Sequence, residues 1–67
     1  MLFTELKTLL EEHREDYYLI LLDNSSTILN EVGRRTKKEV AHDLHLEAPL
    51  FSTVYRLILA HDHIKNR

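Results

Sequence analysis

The chain contains no cysteine, one glycine (Gly33) and one proline (Pro49) among its 67 residues. Without cysteine, disulfides, thiolate metal sites and cysteine nucleophiles are excluded. No apolar run reaches the roughly 20 residues that span a bilayer, and the N-terminus lacks the pattern of a signal peptide. A chain this short buries only about 60% of its unfolded surface. We therefore expect one soluble, cytoplasmic domain, residues 1–67, that does not contact a membrane and gains stability by self-association.

Charge is distributed unevenly along the chain, although the net charge is only −2. Residues 1–31 carry a balance of −5, and residues 32–67 carry a balance of +3. Such asymmetry is typical of an acidic half that faces a protein partner and a basic half that faces an anion. Two ordinary solvated surfaces explain the same numbers, so charge alone does not decide the function.

The scarcity of glycine and proline, with abundant leucine, glutamate and lysine, predicts an all-α domain of four to five helices. In residues 1–23, apolar side chains recur at spacings of three and four, which predicts a long amphipathic helix or two helices with a break near 13–16. The stretch Tyr17 to Leu22 is apolar on every side, which favours a homodimer contact in this segment. The predicted interface residues are Leu6, Leu10, Tyr17, Tyr18, Ile20 and Leu21.

Helix start and stop signals divide the rest of the chain. A short helix is predicted to end at Gly33, since glycine is a favoured C-terminal cap. Thr36 and Glu39 then have the spacing of a capping box, which predicts the start of the next helix. Pro49 suits the first turn of a last helix over about 50–63.

Residues 26–67 have the apolar pattern of a helix-turn-helix unit. Because the two helices of such a unit cross steeply, certain positions must be apolar or small. Counted from Lys37, the fourth, fifth, eighth, tenth, fifteenth and eighteenth positions are Val40, Ala41, Leu44, Leu46, Phe51 and Val54. The ninth position, often glycine at the turn, is His45. This departure leaves the geometry and the length of the turn open.

The run Ser52-Thr53-Val54-Tyr55-Arg56-Leu57 resembles the start of a recognition helix in helix-turn-helix regulators. It is similar to the "ATVYR" run of the ferric uptake regulator family, and residues 36–58 also resemble small phage and plasmid repressors. The family's metal-binding dimerisation domain and its β-wing have no counterpart in this sequence. The resemblance therefore implies a recognition helix and does not imply iron sensing.

The residue types at this end of the chain suit contact with double-stranded DNA. Short hydroxyls and arginine reach base edges and phosphates from the major groove, and a basic cluster lies at the start of the preceding helix, where phosphates bind. The predicted DNA-binding residues are Arg34, Arg35, Lys37, Lys38, Ser52, Thr53, Tyr55 and Arg56. An ordinary boundary aromatic and solvated cations are the alternative interpretation.

Neither a metal centre nor an active site is predicted. The histidines fall into two groups, His42 with His45 and His61 with His63, and their spacing does not supply three or four converging zinc ligands. Ser25 and Ser26 lack the context of a catalytic nucleophile, and a glycine-rich phosphate loop is missing. We expect no cofactor and no enzymatic activity.

Two functions from different classes follow from these observations. The first is a small dimeric DNA-binding transcription regulator, similar in size to phage and plasmid repressors. The alternative is a helical adaptor or anti-activator that docks onto another regulator without touching DNA. The acidic N-terminal half and the apolar stretch near residue 20 favour this alternative, and the helix-turn-helix pattern would then be a packing scaffold.

Overall fold

The computed structural model describes residues 1–65, and it describes side chains through residue 64. This part of the chain folds into five α-helices and has no strand, which confirms the all-α prediction. Asn66 and Arg67, the end of the predicted domain, lie outside the described residues. The helices are α1 (Phe3–Glu12), α2 (Tyr17–Asp23), α3 (Ser25–Arg34), α4 (Lys37–Asp43) and α5 (Ala48–Lys65), and a short 3-10 helix, Arg14–Asp16, joins α1 to α2.

The sequence predicts either one long helix or two helices for residues 1–23. The structure has two, because the first helix ends at Glu12. His13 leaves the helical conformation, with φ −128° and ψ 52°, and α2 begins at Tyr17. A continuous helix of 21 residues would be about 32 Å long, whereas the domain measures 30 × 22 × 20 Å. The break allows the apolar faces of α1 and α2 to pack on the same small core.

Helix α5 is the centre of the fold, since α2, α3 and α4 all contact it. Its inward side chains Phe51, Val54 and Ile58 are at most 4% exposed. Apolar residues from all four other helices and from the α4–α5 turn complete the core. They are Leu6, Leu10, Leu21, Ile28, Val40, Ala41 and Leu44.

Polar contacts fix the start of α3 against both ends of the described chain. The hydroxyls of Ser25 and Ser26 donate to Asp62 Oδ1 at 3.4 and 3.3 Å, near the end of α5. The Thr27 hydroxyl donates to the carbonyl oxygen of Met1 at 2.9 Å. These contacts satisfy Ser25, which is fully buried.

Gly33 is not the C-terminal cap that the sequence predicts. It lies inside α3, which continues to Arg34 and ends where Arg35 becomes extended, with φ −143° and ψ 171°. The backbone of Gly33 does not have positive φ, so this position does not need glycine. The end of α3 is instead fixed by the extended residues that lead into the Thr36 cap.

Replacing Gly33 by alanine should therefore stabilise the protein. No atom lies within 4 Å of a Cβ added at Gly33, and alanine has less conformational freedom to lose on folding than glycine. We expect a gain of about 0.5–1 kcal/mol in the free energy of unfolding and a rise in Tm of roughly 2–8 °C. Urea and thermal unfolding measure both quantities. An unchanged or lower midpoint would contradict the placement of Gly33 within the helix.

Candidate nucleic-acid interface

Five of the six apolar positions in the predicted pattern of α4 and α5 are buried, and the sixth, Leu46, is partly buried against the core. Thr36 caps α4: its hydroxyl accepts from the Glu39 N–H at 3.2 Å, and the Glu39 carboxylate returns to the Thr36 backbone. On the face towards α5, Val40 and Ala41 are at most 1% exposed. Because Ala41 has only a methyl group, the two helices can approach closely at this position. Pro49 lies in the first turn of α5, as predicted.

The turn between α4 and α5 is short and is built around His45. His45 has φ 59°, the left-handed conformation that glycine adopts most easily. The Leu46 N–H donates to the Ala41 carbonyl at 2.9 Å, and the His45 N–H donates to the His42 carbonyl at 3.0 Å. This pair of bonds is the Schellman arrangement of a helix C-terminus. The histidine at the ninth position therefore takes the backbone conformation expected of glycine there.

Three of the four residues predicted to read DNA from α5 are available to solvent. Ser52, Thr53 and Arg56 are exposed in the first turns of the helix. Tyr55 differs, because it is half-buried and its ring centroid lies 6.0 Å from that of Phe51. Tyr55 thus packs against the core of the domain, and the exposed set is smaller than the predicted one.

Lys37 and Lys38 lie beside Ser52, whereas Arg34 lines a different cleft, with Phe3 and Glu31. Arg34 ends α3, and Lys37 and Lys38 begin α4. The two lysines and Ser52 line one open cleft of about 340 Å³. The Lys37 ammonium lies 5.0 Å from the centroid of the Tyr55 ring, a distance suited to a cation–π interaction. The fold therefore brings the basic start of α4 and the hydroxyl face of α5 to one surface.

Arg35 has a different role from the predicted DNA contact. Its Nε lies 2.9 Å from Glu31 Oε2, its Nη1 lies 2.5 Å from Asp43 Oδ2, and its guanidinium carbon lies 5.3 Å from the centroid of the Phe3 ring. One guanidinium thus joins α1, α3 and the end of α4. Because its donors are directed to two carboxylates, we remove Arg35 from the set of free phosphate-binding cations.

The hydrogen bond from Arg35 lowers the pKa of Asp43 below its usual value, and the positive charges of Arg35 and Lys7 act in the same direction, whereas partial desolvation opposes them. The same hydrogen bond raises the pKa of Arg35. The folded protein therefore favours the deprotonated carboxylate, which links its stability to pH.

The Asp43–Arg35 pair should make the protein less stable in acid. Since the pKa of Asp43 is lower in the folded state, its contribution is complete above the unfolded value of about 3.9 and is lost as the pH falls through the folded value. We expect Asp43→Asn to lower Tm at pH 6, and we expect its difference from the wild type to shrink towards pH 2. Thermal unfolding across this range measures the effect. A difference that stays constant with pH would contradict the role of the pair.

Arg14, which has no predicted role, contacts the turn between α4 and α5. Its Nη1 donates to the Leu44 carbonyl at 2.8 Å, and its Nη2 donates to the His45 carbonyl. Both oxygens belong to the α4–α5 turn. The contacts join residues 30 and 31 positions apart, and the sequence pattern around Arg14 does not indicate them.

The predicted dimer interface requires correction. Leu6, Leu10 and Leu21 are 0–1% exposed within a single chain, so they belong to its core and are not accessible to a second copy. Tyr17 and Ile20 are half-buried against that core, and Tyr18 is 39% exposed. The amphipathic stripe of α1 and α2 predicts a surface for a second copy of the chain. Most of the stripe instead packs within the domain.

Two further findings concern the described residues, and a third concerns the chain's similarity to known proteins. They contain no group of three or more histidine, cysteine, aspartate or glutamate side chains able to hold a metal ion. None of their helices combines the length and the apolar character required to cross a membrane. Comparisons of the chain with known protein families, with curated proteins and with solved structures find no match.

Proposed function

We propose that this protein is a small transcription regulator that binds double-stranded DNA through the helix-turn-helix of α4 and α5. The observation that carries the proposal is the exposure of Ser52, Thr53 and Arg56 on a helix whose opposite face is buried. An exposed helix fits the major groove of DNA, and arginine and hydroxyl side chains bond to base edges there. Such a regulator acts on DNA in the cytoplasm.

The local charge supports the proposal despite the net charge of −2. Lys37 and Lys38 are exposed and line the cleft that contains Ser52. The acidic residues Glu5 and Glu12 belong to α1, a helix that does not make a major contact with α5. DNA responds to the local distribution of charge, since phosphate contacts are screened beyond about 10 Å.

The proposed regulator acts as a homodimer, with one α5 in each of two successive major grooves about 34 Å apart. Tyr18 is the accessible remainder of the predicted interface, and its neighbour Leu19, which was not predicted, is 61% exposed. Sedimentation equilibrium tests this arrangement. A chain that stays monomeric while bound to DNA would contradict the paired geometry.

Selection of bound duplexes from a random library, followed by titration between 50 and 200 mM salt, tests the proposed function. We expect an enriched sequence and an affinity that falls steeply with salt, because binding releases counterions from phosphates. Lys38→Ala should reduce the slope of log affinity against log salt by about one. The control is Lys7→Ala, which removes the same charge from α1. Failure to enrich any sequence, together with the absence of salt-dependent binding, would refute the proposal.

An adaptor that binds protein is a second candidate, and the outer surface of α5 favours it. Between Ala48 and Ile64 the sequence has only two formal charges, Arg56 and Asp62, and Asp62 accepts from the start of α3. Large apolar side chains are 39–68% exposed on this helix. They are Leu50, Leu57, Leu59 and Ile64. Co-purification of one defined regulator with the chain, in stoichiometric amount and without DNA, would favour this function over the first.

A further inference from the structure

The carbonyl groups at the end of α4 have a partner outside their own helix. The last carbonyls of any α-helix lack intrahelical donors. Here the guanidinium of Arg14 donates to two successive oxygens, to Leu44 at 2.8 Å and to His45 with its other terminal nitrogen. Its planar fork supplies two donors in a fixed geometry, which the single ammonium of lysine does not provide. A cation at this position also complements the negative end of the helix dipole.

The hydrogen bonds from Arg14 involve His45, the residue in this turn with the least favourable backbone conformation. A residue other than glycine keeps positive φ only where its surroundings fix that conformation, and His45 has φ 59°. Its carbonyl is bound by Arg14, while its N–H donates to His42. The direction in which the chain leaves α4, and therefore the orientation of α5, depends on this residue.

The break between α1 and α2 is what places Arg14 at the turn. Arg14 is the first residue of the 3-10 helix that separates them. Glu11, one turn earlier, has its Oε1 3.8 Å from His45 Nε2, so the end of α1 also lies against the turn. The N-terminal half of the chain thus contacts the helix-turn-helix at the residue that sets its geometry.

We propose that Arg14 is a positioning residue for DNA recognition: it holds the α4–α5 turn in its left-handed conformation and so fixes how α5 is presented to the groove. This inference rests on the proposed function. It assigns to Arg14 no contact with DNA, and it predicts coupling between Arg14 and His45.

The experiment compares Arg14→Ala and Arg14→Lys with the wild type in binding to the selected duplex, at a temperature where circular dichroism shows each variant fully folded. We expect Arg14→Ala to lose about tenfold in affinity, since two hydrogen bonds from a charged group are removed. Arg14→Lys should lose nearly as much affinity as Arg14→Ala, although it keeps the positive charge. The slope of affinity against salt should stay unchanged, because no phosphate contact is lost.

The substitution His45→Gly distinguishes a role of Arg14 in holding the turn from a general effect of Arg14 on stability. Glycine adopts positive φ without steric cost, so the turn no longer needs Arg14 to hold it. In the His45→Gly background, the loss of DNA affinity caused by Arg14→Ala should therefore fall to below about threefold. Wild-type affinity in fully folded Arg14→Ala, or an equal loss in both backgrounds, would overturn the proposal.

Amide hydrogen exchange provides a measure that does not need DNA. In Arg14→Ala we expect the N–H groups of His45 and Leu46 to exchange about tenfold faster, and we expect His45→Gly to restore slow exchange. If the wild type binds no duplex, the DNA function is refuted, and these two amides alone decide whether Arg14 holds the turn. Unchanged exchange would overturn that role.

Discussion

Replacing Phe51 by alanine is expected to remove a large part of the protein's free energy of unfolding. Phe51 is 1% exposed and is the largest of the fully buried side chains. Deleting a buried phenyl ring costs about 3–5 kcal/mol, whereas the total stability of a 67-residue domain is roughly 3–10 kcal/mol. Because α5 contacts α2, α3 and α4, the cavity would weaken most of the fold and not only one helix.

Urea unfolding followed by circular dichroism measures this loss. The matched control is Leu57→Ala on the same helix, where the side chain is 44% exposed, and a change below about 1 kcal/mol is expected. If the two variants were equally stable, α5 would not be the buried centre of the fold.

Arg56→Ala should abolish the preference for the selected DNA sequence. Arg56 is exposed on α5 and takes part in none of the ion pairs among residues 1–64, so its loss should leave the structure intact. A bidentate contact from arginine to guanine contributes about 1–3 kcal/mol of discrimination, or roughly ten- to a hundredfold. Non-specific binding should remain, because Lys37 and Lys38 keep their charges.

Competition between the selected duplex and a scrambled one measures the ratio of affinities. Arg56→Lys keeps the charge and loses the planar fork, so it should bind both duplexes almost equally. Lys7→Ala is the matched control for the removed charge and should keep the preference. Retained discrimination in Arg56→Ala would exclude α5 as the helix that reads the sequence.

Local signals were sufficient for much of the fold. The Thr36–Glu39 capping box and Pro49 each act within one helical turn, so the sequence alone could indicate where α4 and α5 begin. The small residue Ala41 likewise marked a close approach between helices. Gly33 shows the limit of such signals, since glycine near the end of a helix is compatible both with a cap and with the last turn.

Contacts between distant residues explain what the sequence did not predict. An amphipathic stripe indicates that one face is buried, but the pattern does not say whether the same chain or a second copy covers it, and Leu6 and Leu10 were therefore misplaced. Arg35 was counted as a free cation because its partner Asp43 is eight positions away. Arg14 was missed for the same reason, since its acceptors lie in another helix-turn element.

The serine and threonine contacts at the start of α3 bring Met1 and Asp62 to the same neighbourhood. A flexible peptide could therefore join these two points of the chain, and new ends could be opened elsewhere, for example in the exposed segment near Glu15. Such a circularly permuted chain should keep its core, because each buried side chain would retain its neighbours.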